Sequence, residues 1–158
     1  MSKTTRATQA LVRAGVPHSV HAYAYDPDAP RIGLQAAEAL GVAPAQVFKT
    51  LMALADGKPV CALVPSDREA SLKKLAAAFG AKSAAMMRPA DAERATGYHV
   101  GGISPLGQKR AVPTLVDASA LGQEAIFVNG GQRGLQVRLA PGDLVALLGA
   151  RTAAVTDD

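Results

Sequence analysis

The sequence has one cysteine, no tryptophan and few aromatic residues of any kind, and each scarcity removes a class of function. With Cys61 alone there is no internal disulfide framework to staple the fold. Aromatics make up 4% of the chain, too little ring surface for a base-stacking platform that would hold single-stranded nucleic acid. No apolar run approaches the length of a membrane span. The histidines are three, His18, His21 and His99, and they make no metal set. His18 and His21 are three apart in a stretch that reads as strand, where residues so spaced face opposite ways. We therefore expect neither a metal nor a cofactor. The opening Met1-Ser2-Lys3-Thr4-Thr5-Arg6 has no apolar stretch of a secretory signal, which makes the cytoplasm the expected location.

Common catalytic signatures are missing as well. There is no Gly-x-x-x-x-Gly-Lys-Ser/Thr phosphate loop, no Gly-x-Ser-x-Gly nucleophile turn and no His-Glu-x-x-His. Gly97 to Gly102 is not a dinucleotide fingerprint, because it does not open a helix after a strand. Any reaction has to rely on backbone groups, one lysine or the substrate itself.

What is present is an ordinary globular composition: 158 residues, 49% hydrophobic and 19% charged, with a net charge of +4 that mildly favours anionic partners. Apolar spacing predicts a helix over residues 5–14 stopped by Gly15, and a strand over 18–25. A turn over 26–30 leads to a helix over 33–40, and a short helical turn opens at Pro44. A hairpin follows, of strands 47–54 and 59–64 turned at Asp56-Gly57. Ser66-Asp67-Arg68-Glu69 has the pattern of a capping box, opening a helix through Leu72, Leu75, Ala76 and Phe79. Pro89 starts another helix, ending at Gly97. Strands are expected over 114–117 and 125–129. A half-buried one over 135–139 follows, with Leu135, Val137 and Leu139 inward. The last helix begins at Pro141, and Asp157-Asp158 is expected to fray. With no repeat and no linker, this pattern predicts a single α+β domain: a mixed β-sheet surrounded by helices.

The most distinctive stretch runs from Thr96 to Arg110, where Gly97, Gly101, Gly102 and Gly107 interrupt a chain dense in alanine, valine and leucine. Glycines permit positive φ or close approach of backbone to a ligand, and Lys109-Arg110 would suit a phosphate. A tight loop between strands with a solvated basic end fits equally well. Lys49 lies in an otherwise apolar strand between Val47 and Leu51 on its face; it either snorkels to the sheet edge or points into a site. Cys61, among Val60, Ala62 and Leu63 and with no base beside it, reads as a small core residue. His99, between Tyr98 and Val100, reads as a strand-surface residue.

Three segments together resemble a known family: Val47-Phe48-Lys49-Thr50-Leu51, then Thr96-Gly97-Tyr98-His99-Val100-Gly101-Gly102-Ile103-Ser104-Pro105-Leu106-Gly107-Gln108-Lys109, then Gly130-Gly131-Gln132-Arg133-Gly134-Leu135. In order and over nearly the whole chain they are similar to YbaK and its EbsC relatives, bacterial trans-editing proteins of the prolyl-tRNA synthetase editing-domain superfamily. The resemblance implies a partly barrel-like sheet and deacylation of cysteinyl-tRNA mischarged by prolyl-tRNA synthetase. It implies Lys49 and Gly101 as the catalytic positions. Tyr23, Thr50, Gly102, Ile103, Ser104, Asn129, Gly131 and Gln136 are implied at the aminoacyl-adenosine pocket, and Lys109, Arg110 and Arg133 on the tRNA. Mischarged tRNA and prolyl-tRNA synthetase are the implied partners. No enzyme nucleophile is required, since the substrate's thiol attacks its own ester and leaves as a cyclic thiolactone. Backbone N–H groups at Gly101 and Gly102 could steady the oxyanion. Two positions depart from the YbaK pattern: Gln136 replaces an aspartate and Asn129 a serine, which bears on amino-acid preference. A deacylase for alanine, serine or another small amino acid on tRNA, and a non-catalytic tRNA- or nucleotide-binding module, are the alternatives.

Overall fold

A computed structural model describes residues 4–157; Met1, Ser2, Lys3 and Asp158, the last being half of the expected frayed end, lie outside them. The first helix, α1 (Arg6–Ala14), begins where the Thr8 amide donates to the Thr5 hydroxyl and the Thr5 amide donates to the Thr8 hydroxyl. It buries Ala7 and Leu11. The chain continues through β1 (Ser19–Ala22) and α2 (Gln35–Leu40) into the hairpin of β2 (Phe48–Ala55) and β3 (Lys58–Pro65). Asp56 and Gly57 both have positive φ, 49° and 79°, as the two-residue turn of a twisted hairpin requires. Then come α3 (Leu72–Ala78), β4 (Ala84–Met86), α4 (Pro89–Thr96), the glycine-rich loop, β5 (Thr114–Asp117), β6 (Ile126–Asn129), β7 (Leu135–Leu139), α5 (Pro141–Leu148) and β8 (Arg151–Ala153).

Five strands form a mixed sheet in the order β4-β2-β3-β5-β8, with β5 parallel to both β3 and β8. Three form an antiparallel sheet in the order β1-β7-β6. The two meet where Val47 bridges Phe127 in parallel, closing one side in the manner of a partial barrel. Between them lies the main core, in which Phe48, Leu63, Val116, Ile126, Val128 and Val137 pack with Leu11 of α1 and Leu144 of α5. On the opposite face of the large sheet, Ala62, Val64 and Leu115 meet Leu75 of α3 and Val155. Among the described residues no helix is long and apolar enough to cross a membrane.

Several local expectations change. The strand expected over 18–25 stops at Ala22, because its partner β7 begins at Leu135: the Tyr23 amide still donates to Gly134 O, but Gly134 has φ +79° and carries the ladder no further. The capping box at Ser66 is not formed. Ser71 caps α3 by accepting the Lys74 amide at 3.1 Å, while the Ser66 hydroxyl donates to Pro44 O at 2.9 Å. Residues 66–68 instead form a turn, the Arg68 amide donating to Pro65 O at 3.1 Å, and an antiparallel bridge between Ala70 and Thr156 delays the helix. That bridge also pins the tail, and the Asp157 amide donates to Glu69 O, so Asp157 does not fray. His99 sits in a turn rather than on a strand, exposed and 3.5 Å from Glu93. In β7 the polar Gln136 is 5% exposed, not solvent-facing, because β7 is the central strand and its second face is covered at that end. The three-residue strands β4 and β8 were not foreseen.

Candidate active site

The seam between the two sheets opens into a cleft of about 200 Å³. Pockets that enclose a drug-sized ligand typically span ~300–1,000 Å³, so this one suits a small terminal group whose remainder stays outside. The start of β2 supplies Phe48, Lys49 and Thr50; the end of β6 supplies Asn129, and β7 supplies Gln136. Tyr23 and Tyr25 follow β1, Ser66 follows β3, and the glycine-rich loop adds Val100, Gly101 and Ile103.

Charge in this cleft is one-sided. Lys49 is the single formally charged side chain among the described lining residues, and its side chain is 26% exposed. Its Nζ lies 3.6 Å from Glu69 Oε1, but that carboxylate is 86% exposed, on the outer side. Burial raises the pKa of Tyr23, against a smaller opposite pull from the Gln136 amide beside it, so its phenol stays protonated at neutral pH. Among the described residues the Thr50 hydroxyl and Gln136 Oε1 are buried with no hydrogen-bond partner. Each such orphan costs about 1–3 kcal/mol if nothing satisfies it.

The glycine-rich loop is fixed by the facing turn. The Asn129 amide nitrogen donates to Gly101 O at 3.2 Å and to Gln132 O at 3.3 Å, and its oxygen accepts the Gly131 amide at 2.7 Å. Arg133 stacks over the Tyr25 ring and donates from Nε to Val100 O at 2.9 Å. A Cβ on Gly102 would stand 2.8 Å from the Arg133 backbone nitrogen, so this glycine serves backbone-to-backbone packing. Gly101 has φ +91°, and a Cβ there would come within 3.0 Å of the Tyr25 hydroxyl.

Of the residues implicated by sequence, Lys49, Gly101, Tyr23, Thr50, Ile103, Asn129 and Gln136 converge on the cleft. Gly102, Ser104 and Gly131 are not on its wall. The Gly102 amide donates to His99 O at 2.8 Å and is already engaged, contrary to the expectation that it could meet an oxyanion. Ser104 is fully buried and accepts the Leu106 amide, and Gly131 packs against Thr5 and Tyr98. Arg133 stands beside the cleft, whereas Lys109 and Arg110 line a separate groove with Pro59, Asp91 and Arg94. Cys61 is fully buried between Met52 and Ala92, its thiol pushed up to about 12 by burial. Sequence reasoning missed Tyr25, Ser66 and Glu69. Among the described residues no three of His, Cys, Asp and Glu come together as a metal site.

A seam cleft carrying one lysine, closed over by a glycine-rich loop, defines a class of protein. The chain belongs to the aminoacyl-tRNA editing domain family, whose profile matches residues 26–147. Within that family it sides with the YbaK/EbsC proteins. Over 154 residues it is 36% identical to the Enterococcus faecalis protein named "Putative Cys-tRNA(Pro)/Cys-tRNA(Cys) deacylase EbsC", covering 96% of this chain and 93% of that one. It is 41% identical over 86 residues to the proline–tRNA ligase of Acidithiobacillus ferrooxidans, a segment that is 54% of this chain and 15% of the ligase. The crystal structure of a "putative trans-editing enzyme for prolyl tRNA synthetase" superposes with a TM-score of 0.86 at 25% identity, over 100% of this chain and 99% of that one.

Proposed function

We propose that this protein is a trans-editing deacylase that removes cysteine mischarged onto tRNA(Pro), by a reaction within the substrate. The cysteinyl sulfur loses its proton and forms a bond to the ester carbonyl carbon. The carbon–oxygen bond to the terminal ribose then breaks, the ribose oxygen takes a proton, and cysteine leaves as a thiolactone. The observation that carries this reading is the inventory of the cleft: one cation, and hydroxyls with no base to activate them. Neither Thr50 nor Ser66 has a histidine or carboxylate among the lining residues, and Cys61 lies elsewhere as an un-ionised thiol.

Attack within one bound molecule needs placement more than added functional groups, and placement alone is worth roughly 7–11 kcal/mol. Lys49 steadies the developing oxyanion and favours the attacking thiolate. Tyr23, Tyr25 and the Gly101 loop position the acyl end, with Asn129 holding that loop in place. Arg133, Lys109 and Arg110 contact tRNA phosphates in a salt-dependent way. The work takes place in the cytoplasm, and prolyl-tRNA synthetase supplies the selection of tRNA that so small a cleft lacks. The test is deacylation of cysteinyl-, alanyl- and seryl-tRNA(Pro) by the purified protein. Rapid loss of cysteine alone supports the proposal. Equal loss of alanine, which has no side-chain nucleophile, would replace self-attack with attack by water or a ribose hydroxyl, and binding without turnover would leave a tRNA-binding module.

A further inference from the structure

Among the described residues the two buried side-chain polar atoms without a partner, Thr50 Oγ1 and Gln136 Oε1, belong to residues that line one cleft, on strands of two different sheets. Gln136 is 5% exposed and its amide adjoins the Tyr23 phenol, which leaves the acceptor oxygen for an occupant. None of the described residues lining the cleft carries a carboxylate. Glu69, the acid paired with Lys49, faces solvent, and Arg133 beside Tyr25 adds a second positive charge, which Glu93 partly offsets from the outer side of the glycine-rich loop. A protonated α-amine entering here meets like charge and a neutral acceptor, whereas an uncharged N–H or O–H meets the same acceptor with no charge to desolvate.

On the reading that this cleft handles acyl-tRNA esters, we infer that Gln136 and Thr50 recognise the α-substituent of the acyl group as a hydrogen-bond donor and not as a cation. The substrate class therefore extends to α-hydroxyacyl esters of tRNA. Gln136 acts as a specificity-determining residue. Its oxygen accepts from the α-hydroxyl or the uncharged α-amine, and the Thr50 hydroxyl can donate to or accept from the same end of the acyl group.

The experiment compares tRNA(Pro) carrying cysteine with tRNA(Pro) carrying its α-hydroxy counterpart, 3-mercaptolactate, which differs only in the α-group. Single-turnover rates, each divided by the uncatalysed rate of that ester, are measured for the natural protein, Gln136→Glu and Gln136→Met. The natural protein is expected to accelerate the two esters to within about tenfold of each other. Gln136→Glu, which is isosteric and adds the missing charge, should shift the ratio toward the amino ester by about tenfold or more, equivalent to about 1.4 kcal/mol. Gln136→Met, which keeps the volume and removes the acceptor, should slow both esters alike. Thermal unfolding of each variant separates these effects from loss of fold, and the ratio for the natural protein needs no variant. A natural preference for the amino ester well beyond tenfold, or a ratio unmoved in a folded Gln136→Glu, overturns the inference while leaving the editing reading intact. Failure to cleave either ester overturns the editing reading, and the inference with it.

Discussion

Replacing Lys49 with alanine removes the one formal charge on the described cleft wall, and its effects on folding and on turnover should separate widely. The folding term is small. The partner Glu69 is 86% exposed at 3.6 Å, and such solvent-screened pairs contribute about 0–1 kcal/mol. The lysine stem lies opposite Val64 in the β2–β3 ladder, and alanine keeps the backbone hydrogen bonds there. The catalytic term is large, because loss of one preorganised group at a developing oxyanion slows reactions by about 10²–10³-fold, or about 2.7–4 kcal/mol. Lys49→Ala should therefore lose turnover by that factor while its denaturation midpoint hardly moves. Lys49→Arg keeps the charge at a changed reach and should recover part of the rate. Glu69→Gln, which frees the lysine, should match or exceed the natural protein. The assay is single-turnover deacylation of cysteinyl-tRNA(Pro) with enzyme in excess, beside urea unfolding of the same samples. Turnover by Lys49→Ala within about threefold of normal, far short of the loss expected for a group at the reacting centre, would refute the role given to this lysine.

Other outcomes follow from the same geometry. Cys61→Ala should leave deacylation unchanged, and the native thiol should resist a disulfide reagent until urea exposes it, since burial holds it un-ionised. Gly102→Ala should destabilise by about 1–3 kcal/mol in urea unfolding, because its methyl group would press on Arg133 and Gln132 backbone that cannot swing aside. The Glu93 carboxylate accepts the Val100 amide at 2.9 Å, the main reason its pKa is lowered, with His99 adding to the effect. A lowered pKa means that this contact stabilises the loop above the unfolded glutamate value of about 4.3 and is lost as pH falls through the folded value. Hydrogen exchange at Val100 should therefore quicken in acid, and Glu93→Gln should remove that dependence.

Where the sequence was informative, the signal was local. The first helix stopped by Gly15, the Asp56-Gly57 hairpin and the Pro89-to-Gly97 helix all appear where spacing and turn chemistry put them, because each is decided within a few residues. The site was legible through its motifs and only in part through periodicity. Lys49 stood out as a charge in an apolar strand, but its partner Glu69 was hidden inside what read as a capping box. That misreading has a cause: the tail bridge at Thr156, far along the chain, keeps Ser66 to Ala70 out of the helix. Gln136 looked solvent-facing by alternation and was placed at a pocket by the resemblance alone; the strand order β1-β7-β6 is what buries it. Tyr25 escaped because it lines the cleft from beyond the end of β1, where alternation no longer says which way a side chain points. Strands β4 (Ala84–Met86) and β8 (Arg151–Ala153) have three residues each, too few for alternation to be read.

The most direct measurement is the identity of the product from one turnover on cysteinyl-tRNA(Pro), quenched early in acid and read by mass spectrometry. Self-attack by the substrate predicts cysteine thiolactone as the first species released, with free cysteine growing in only as that ring opens. Free cysteine appearing at once, carrying oxygen-18 from labelled water, would contradict it.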